Sequence, residues 1–492
     1  MSANNEQYLP GGTTRRNPPP HPPGGTTPRN PPPRIGILGV MQDLYDDMIP
    51  GIAQRQASYA AEIAAHLTDV GEFIPSKPVK YREDAEREMR EFENAGLDGV
   101  MVVMLTYGPA MRVARLLNES RLPILLANIQ PEPNVTPAWD MADMTYNQGV
   151  HGAQDTANAM VRAGRRFCVL TDDWRSGSFK ADVGRWARAA AAVTAWKRLK
   201  VAIFGYAMND MGDIRVDESA LIRSLGPEIL AVAQGDLYRG MQAVTDDEVA
   251  EVIEFEDSTF EIDPRLSAPE RTDHARMQVA IEKILVSRGF GAYSTHFDAI
   301  GEDGRFSRLP LAAASSLMAK GYGYGAEGDV LTACLVAAGH TLIGDAHFTE
   351  MYAMDFASDS ILMSHMGEGN WKVARTDRPV KLIKRPLGIG RLEDPPTFLF
   401  QYQPGPATLA TLVSLEGTRF RLVVAEGSNL DSQELPALQM PYGQFRPTSG
   451  VRRCLTGWMT AGGPHHEVMN LGHHAASWQT FCQLAGIEFV QV

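Results

Sequence analysis

The chain has 492 residues, is 44% hydrophobic and 21% charged, and carries a net charge of −13 at pH 7, the composition of a soluble globular protein with chain enough for several cores. The acidic balance argues against a nucleic-acid partner, and no apolar run approaches the roughly 20 residues that a membrane span needs. The N-terminus lacks the apolar stretch of a secretory signal and the cysteines (Cys168, Cys334, Cys454, Cys482) form no CxxC pair, so a cytoplasmic protein with reduced thiols is expected.

Residues 1–33 stand apart. "GGTTRRNPPP" (11–20) recurs as "GGTTPRNPPP" (24–33), and a Pro/Gly/Asn/Thr tract of this kind buries no core, so a disordered or polyproline II tail is expected. Order is expected from "RIGILGV" (34–40), a run of strand length followed by a long helical stretch at about 50–70. "DGVMVVMLTYG" (98–108), "LPILLANIQPE" (122–132) and "RRFCVLTDD" (165–173) repeat the pattern, each a continuous apolar run ending in polar or turn residues. Continuous rather than alternating hydrophobicity marks strands covered on both faces, hence a parallel sheet in a first α/β domain, 34–197. Ligands of such sheets bind at the carboxyl ends of strands, where Met41-Gln42-Asp43, Thr106-Tyr107 and Asn128-Ile129-Gln130 stand.

A second Rossmann-like α/β unit, 198–345, is expected from "LKVAIFGYAMNDM" (199–211), "EILAVAQGD" (228–236), a helix over 266–287 and "GFGAYSTHFDAI" (289–300). No GxGxxG follows any of these strands, which argues against a dinucleotide site. Further on, "PTFLFQYQPGPATLATLVSLEGTRFRLVVAEG" (396–427) reads as three strands with tight turns. Residues 346–492 are therefore expected to form a mainly antiparallel β domain, with a helix at 475–485 and a last short strand.

Four late stretches offer chemistry. "GYGYGAEGDV" (321–330) sets Glu327 in a glycine-rich turn before a helical run, as a solvated residue or a positioned ligand. "GDAHFTEMYAMDF" (344–356) holds His347, Glu350 and Asp355, with apolar neighbours around Glu350, and a buried carboxylate needs a partner or a metal. "ILMSHMGEGNW" (361–371) puts His365 after a strand-like run, a setting that also suits a hydrogen-bonded core histidine. "AGGPHHEVMNLGHH" (461–474) concentrates four of the twelve histidines, His465–His466 and His473–His474, behind a Gly-Gly turn; a polar loop is the plain alternative to a metal site. Two carboxylates with two imidazoles make a mixed O/N set that suits Mn²⁺, or Co²⁺ and Mg²⁺ less well, better than a thiolate-selecting metal. HExxH, CxxC, GxSxG and P-loop patterns are absent.

In order along residues 34–488, these stretches resemble the L-arabinose isomerase family, within the wider arabinose/fucose isomerase group. "MQDLYDD" is similar to the family's Ser-Gln-x-Leu-Tyr-Gly, "GYGYGAEGD" to its Gly-Glu-Gly-Asp turn, "FTEMY" to Phe-Met-Glu-Asp-Tyr and "SHMGE" to Ser-His-Met-Leu-Glu. "PLGIGRLEDP" (386–395) is like its Leu-Gly-Ile-Gly segment and "AGGPHHEV" like its Ala-Gly-Gly-Ala-His-His. The resemblance implies a Mn²⁺ site from Glu327, Glu350, His365 and His466, with His465 facing the substrate. It implies a sugar pocket lined by Gln42, Tyr45, Gln130, Met208, Phe297 and Ile389, and a homohexamer with the active site at a subunit interface.

Aldose–ketose isomerisation through an enediol needs a base and an acid, roles for which Glu327 and Glu350 are the expected pair, and a cation to polarise the carbonyl. The sequence departs from the family where the sugar is chosen: Asn128-Ile129-Gln130 stands for His-Thr-Gln, Asp43 for a histidine, Asp46 for a glycine and Met351 for an aspartate. The expected activity is thus isomerisation of L-arabinose, with D-galactose as the look-alike, or of another or modified aldose. A sugar-binding protein without turnover and a metallohydrolase are the alternatives; metal content and water consumption distinguish them.

Overall fold

The computed structural model describes residues 31–492. Most of the twin proline-rich tract lies outside the described residues. Strands β1 (Arg34–Val40), β2 (Glu72–Pro75), β3 (Gly99–Met104), β4 (Ile124–Asn128) and β5 (Cys168–Thr171) form a parallel sheet in the order β2-β1-β3-β4-β5. The apolar runs that announce β1, β3 and β4 are buried along almost their whole length, as strands sandwiched between helices must be. Strand β2, "EFIP", has no such run to announce it and buries Phe73 alone.

The chain continues through β6 (Lys200–Phe204), β7 (Glu228–Val232), β8 (Glu261–Ile262), β9 (Ala292–Thr295) and β10 (Gly323–Ala326). Four of these form a second parallel sheet, β10-β9-β6-β7, while β8 pairs elsewhere. The helix Ala268–Arg288 shows how the sequence sets its own limits. Ser267 and Glu270 close a capping box at its start, proline stands in its first turn, and Gly289 ends it at φ 69°. Trp196, at the end of the helix Gly177–Trp196, donates its indole N–H to the Cys334 carbonyl at 2.7 Å and packs edge-on to Phe481, tying three parts of the chain into one core.

The last third holds β11 (Ala346–Asp355), β12 (Ser360–Ser364), β13 (Lys381–Lys384), β14 (Pro396–Leu399), β15 (Gly405–Ser414), β16 (Phe420–Asn429), β17 (Tyr442–Pro447), β18 (His466–Leu471) and β19 (Glu488–Gln491). Seven of them run β15-β18-β11-β12-β17-β16-β19, and β15 pairs along its length with β16, which closes the sheet into a mainly antiparallel barrel. Closure leaves no open edge among the six strands of the ring. Strands β8, β13 and β14 form a small separate sheet that joins the second unit to the barrel. The fold is thus two parallel α/β sheets followed by an antiparallel β-barrel. All four cysteines are buried and free, and no helix among the described residues is long and apolar enough to cross a membrane.

Candidate metal centre

Strand register brings three of the expected side chains together. Glu350 on β11 lies opposite His466, the first residue of β18, on one side and opposite Ser364, the last of β12, on the other. His365 follows Ser364, so both imidazoles flank Glu350 at one end of the barrel. Glu327 arrives from the second unit, in the turn between β10 and the helix Val330–Leu342. Its backbone has φ 61°, a left-handed conformation that costs a non-glycine residue about 1 kcal/mol or more and persists only where the surroundings enforce it. Gly328 follows at φ 82°, and a Cβ there would stand 2.4 Å from Ala207 Cα and Tyr206 O. The Met208 amide completes the latch by donating to the Glu327 carbonyl at 2.8 Å.

His466 Nε2 stands 3.1 Å from Glu350 Oε1 and 3.5 Å from Glu327 Oε2. His365 Nε2 is 3.6 Å from Glu350 Oε1. His465 Nε2 is 3.6 Å from Glu350 and 3.9 Å from Glu327. Glu327, Glu350, His465 and His466 offer donor atoms that all lie within 4.8 Å of one another, which makes this a possible metal site. His365, expected as a ligand, lies just outside that tightest group, and His465, expected to face the substrate, lies inside it. Burial separates the two: His365 is 2% exposed and His465, at the rim, has a side chain 38% exposed.

Each of the two deep imidazoles is held from behind by a carboxylate. His365 Nδ1 meets Glu368 Oε2 at 2.7 Å, and the Tyr324 hydroxyl donates to Glu368 Oε1 at 3.0 Å. His466 Nδ1 meets Asp329 Oδ2 at 2.9 Å, while Asp329 Oδ1 accepts the Thr332 amide and caps the helix Val330–Leu342. A carboxylate on Nδ1 turns Nε2 toward the site and raises its basicity, the arrangement that metal-binding histidines require. The buried atoms Glu327 Oε2 and His365 Nε2 have no hydrogen-bond partner, and His466 Nε2, although 3.1 Å from Glu350 Oε1, is not aligned for a hydrogen bond to it. Unpaired buried donors and acceptors are costly, and a divalent cation would satisfy all three at once, so the residues fit such a group.

The electrostatics agree. Burial works to raise the Glu327 and Glu350 carboxyls, but the neighbouring imidazoles, His465 and His466 for Glu327 and His466 first for Glu350, hold both below the usual carboxylate range. Burial works to lower His365 and His466, yet the charge of Glu368 and the hydrogen bond to Asp329 respectively lead the influences that raise them. Phe348, fully buried on β11, packs edge-on to both rings with centroids 4.6 and 4.9 Å away.

A cleft of about 410 Å³, counting the part open to solvent, lies beside the cluster, lined by Glu327, His365 and Glu368 together with Phe297, Ile300 and Ile389, among others. Of the expected sugar-pocket residues, Phe297 and Ile389 stand in its wall, Met208 is bound to Glu327 and His465 sits at the rim of the cluster. Gln42, Tyr45 and Gln130 are not in that wall; they lie at the carboxyl ends of β1 and β4 in the first sheet. There Gln130 donates to the Glu132 carbonyl at 2.7 Å, and Asp43 is engaged by Arg112 at 2.7 Å. His347, Asp355, His473 and His474 play no part in the cluster. Sequence reasoning missed Asp329 and Glu368, although each stands two or three residues after an expected ligand, and it missed Asp213, 252 positions from the histidine it bonds.

Residues 37–198, 200–344 and 345–488 match, in turn, the models of the L-arabinose isomerase N-terminal, central and C-terminal domains. An L-arabinose isomerase of Clavibacter sepedonicus is 31% identical over 460 residues, covering 89% of this chain and 89% of its own length. One from Clostridium beijerinckii is 30% identical over 402 residues, covering 80% and 81%. One from Mannheimia succiniciproducens is 28% identical over 470 residues, covering 92% and 93%.

Proposed function

This chain belongs to the L-arabinose isomerase family, and from that premise we propose that it is a metal-dependent aldose–ketose isomerase acting on L-arabinose or a related aldose. The observation that carries this reading is the meeting of Glu327, Glu350 and two carboxylate-backed imidazoles around donor atoms left without partners. Glu327, Glu350, His365 and His466 would hold the ion, Mn²⁺ on the family's pattern, with Co²⁺ or Mg²⁺ as substitutes. When bound, such a cation polarises the sugar carbonyl and holds adjacent hydroxyls.

The chain's own residues supply the rest. One carboxylate of the Glu327/Glu350 pair removes the proton at C2 of the aldose while the other protonates the carbonyl oxygen O1, giving the enediol; that second group then takes the O2 hydroxyl proton as the first returns a proton to C1, which leaves the ketose and both carboxylates as they began. Glu368 and Asp329 keep His365 and His466 facing the site. Phe297, Ile300 and Ile389 put apolar wall beside the reacting carbons and keep bulk water from the enediol. Gln42, Tyr45 and Gln130, outside the wall of this cavity, serve the sugar from a neighbouring subunit in a cytoplasmic homohexamer. The domains run 34–197, 198–345 and 346–492 after a proline-rich tail.

A related aldose is favoured over L-arabinose itself by the substitutions at Asp43, Asn128, Ile129 and Met351. Asp43, bound to Arg112, cannot act as the family's histidine does. Glu327→Gln and Glu350→Gln test the reading: each variant should lose turnover while keeping the native circular dichroism. Near-normal activity in either would overturn the acid/base assignment.

A further inference from the structure

Resting on the isomerase reading, we propose that Asp213 is the positioning residue of His465, holding that imidazole so that Nε2 receives a sugar hydroxyl. Asp213 lies in the loop that follows β6. That loop first locks onto the site, through Tyr206 and Ala207 against Gly328 and through the Met208 amide on the Glu327 carbonyl. Arg215 then ties the loop to itself by donating to the Met208 carbonyl at 2.9 Å. From this anchored position Asp213 reaches the barrel. Its Oδ2 accepts the His465 backbone amide at 3.1 Å and meets His465 Nδ1 at 2.6 Å.

Gripping the backbone amide and the ring nitrogen with one carboxylate oxygen fixes both the ring and its tautomer. With the proton of the neutral ring placed on Nδ1, toward the carboxylate, Nε2 is left as an acceptor. That nitrogen lies 3.6 Å from Glu350 Oε1 and 3.9 Å from Glu327 Oε2, too far to be hydrogen-bonded to either. It therefore stands beside the proton-transfer pair with its acceptor position open. Stability offers little reason for the pairing. Both side chains are more than a third exposed, at 37% and 38%, and ion pairs at such sites add little to folding. The consequence to look for is in sugar binding.

Asp213→Ala and Asp213→Asn are compared with the wild type in three measurements: the His465 ring position by crystallography, Mn²⁺ affinity by calorimetry, and the affinity of the Mn²⁺-loaded protein for a pentitol, which cannot isomerise. Asp213→Ala should turn the ring, weaken pentitol binding about tenfold, as losing one hydrogen bond does, and raise KM more than it lowers kcat. Mn²⁺ affinity should stay within about twofold of the wild type, because His465 is not a ligand in this reading. Asp213→Asn keeps an acceptor oxygen and should restore most of the binding. An unmoved ring with unchanged pentitol affinity in Asp213→Ala would overturn the proposal, as would an Asn variant no better than Ala. A wild type that neither isomerises aldoses nor binds the pentitol would instead overturn the isomerase reading; the ring position in Asp213→Ala would still decide whether Asp213 holds His465.

Discussion

Glu368→Ala separates the two histidine sets that the site offers a metal. Glu368 is 5% exposed and satisfies two buried groups, His365 Nδ1 at 2.7 Å and the Tyr324 hydroxyl at 3.0 Å. The Tyr324 hydroxyl keeps Thr295 Oγ1 at 3.0 Å, but His365 Nδ1 is left unpaired, so a loss of roughly 1–3 kcal/mol in stability is expected. Removing the group that orients a ligating histidine weakens metal binding about 10–100-fold, or about 1.4–2.7 kcal/mol. Glu368→Gln keeps an acceptor oxygen and should recover part of both. The assay is a Mn²⁺ titration followed by the paramagnetic resonance of the free ion, with near-ultraviolet circular dichroism to confirm the fold. In the same titration His365→Asn should weaken binding on the order of a hundredfold while His465→Asn stays within about threefold. A folded Glu368→Ala protein that binds Mn²⁺ within twofold of the wild type would refute the role given to Glu368. The reverse ranking of the two histidine variants would assign the ion to Glu327, Glu350, His465 and His466.

The other predictions concern the frame around the site. Gly328→Ala must relieve contacts of 2.4 Å with backbone atoms of residues 206 and 207 and also sits at φ 82°, so it should lower the melting temperature and activity together; a variant as stable as the wild type would remove the latch from the explanation. Glu270 is held down to about 2 from 4.5, chiefly by the Lys384 ammonium against the opposing effect of burial, with the Ser267 amide and hydroxyl helping. Its stabilisation is full above pH 4.5 and disappears as pH falls toward 2, an amount of roughly 3 kcal/mol. Glu270→Gln should therefore be less stable than the wild type at pH 7 and converge with it only near pH 2; a difference in melting temperature that does not shrink on acidification would contradict this.

Much of the scaffold is legible in the sequence because burial on both faces writes itself as unbroken apolar runs. Arg34–Val40, Gly99–Met104 and Ile124–Asn128 are strands within the stretches expected to hold them. Glu72–Pro75 and Glu261–Ile262 escape notice because two to four residues carry no period. The glycine-rich segment at 321–330 reads as a turn, yet Gly323–Ala326 is a strand whose glycines let the helix Val330–Leu342 approach; a Cβ on Gly325 would stand 2.2 Å from the Asp329 carbonyl. In the site, Glu327, Glu350, His365 and His466 could be picked out by residue type and by resemblance. Their meeting depends on barrel register, Glu350 opposite His466, which no local string encodes. Asp213 was invisible for the same reason: only the folded loop brings it to His465.

The most direct test of a metal-dependent proton transfer at Glu327 and Glu350 is proton NMR of the Mn²⁺-loaded protein in D₂O, with L-arabinose and a panel of other pentoses, hexoses and modified sugars, with and without EDTA. An isomerase will convert one of them to its ketose only without EDTA, with deuterium entering the carbon that receives the transferred proton. No ketose and no exchange with any sugar, in a protein shown to bind Mn²⁺, would contradict it and leave a sugar-binding role.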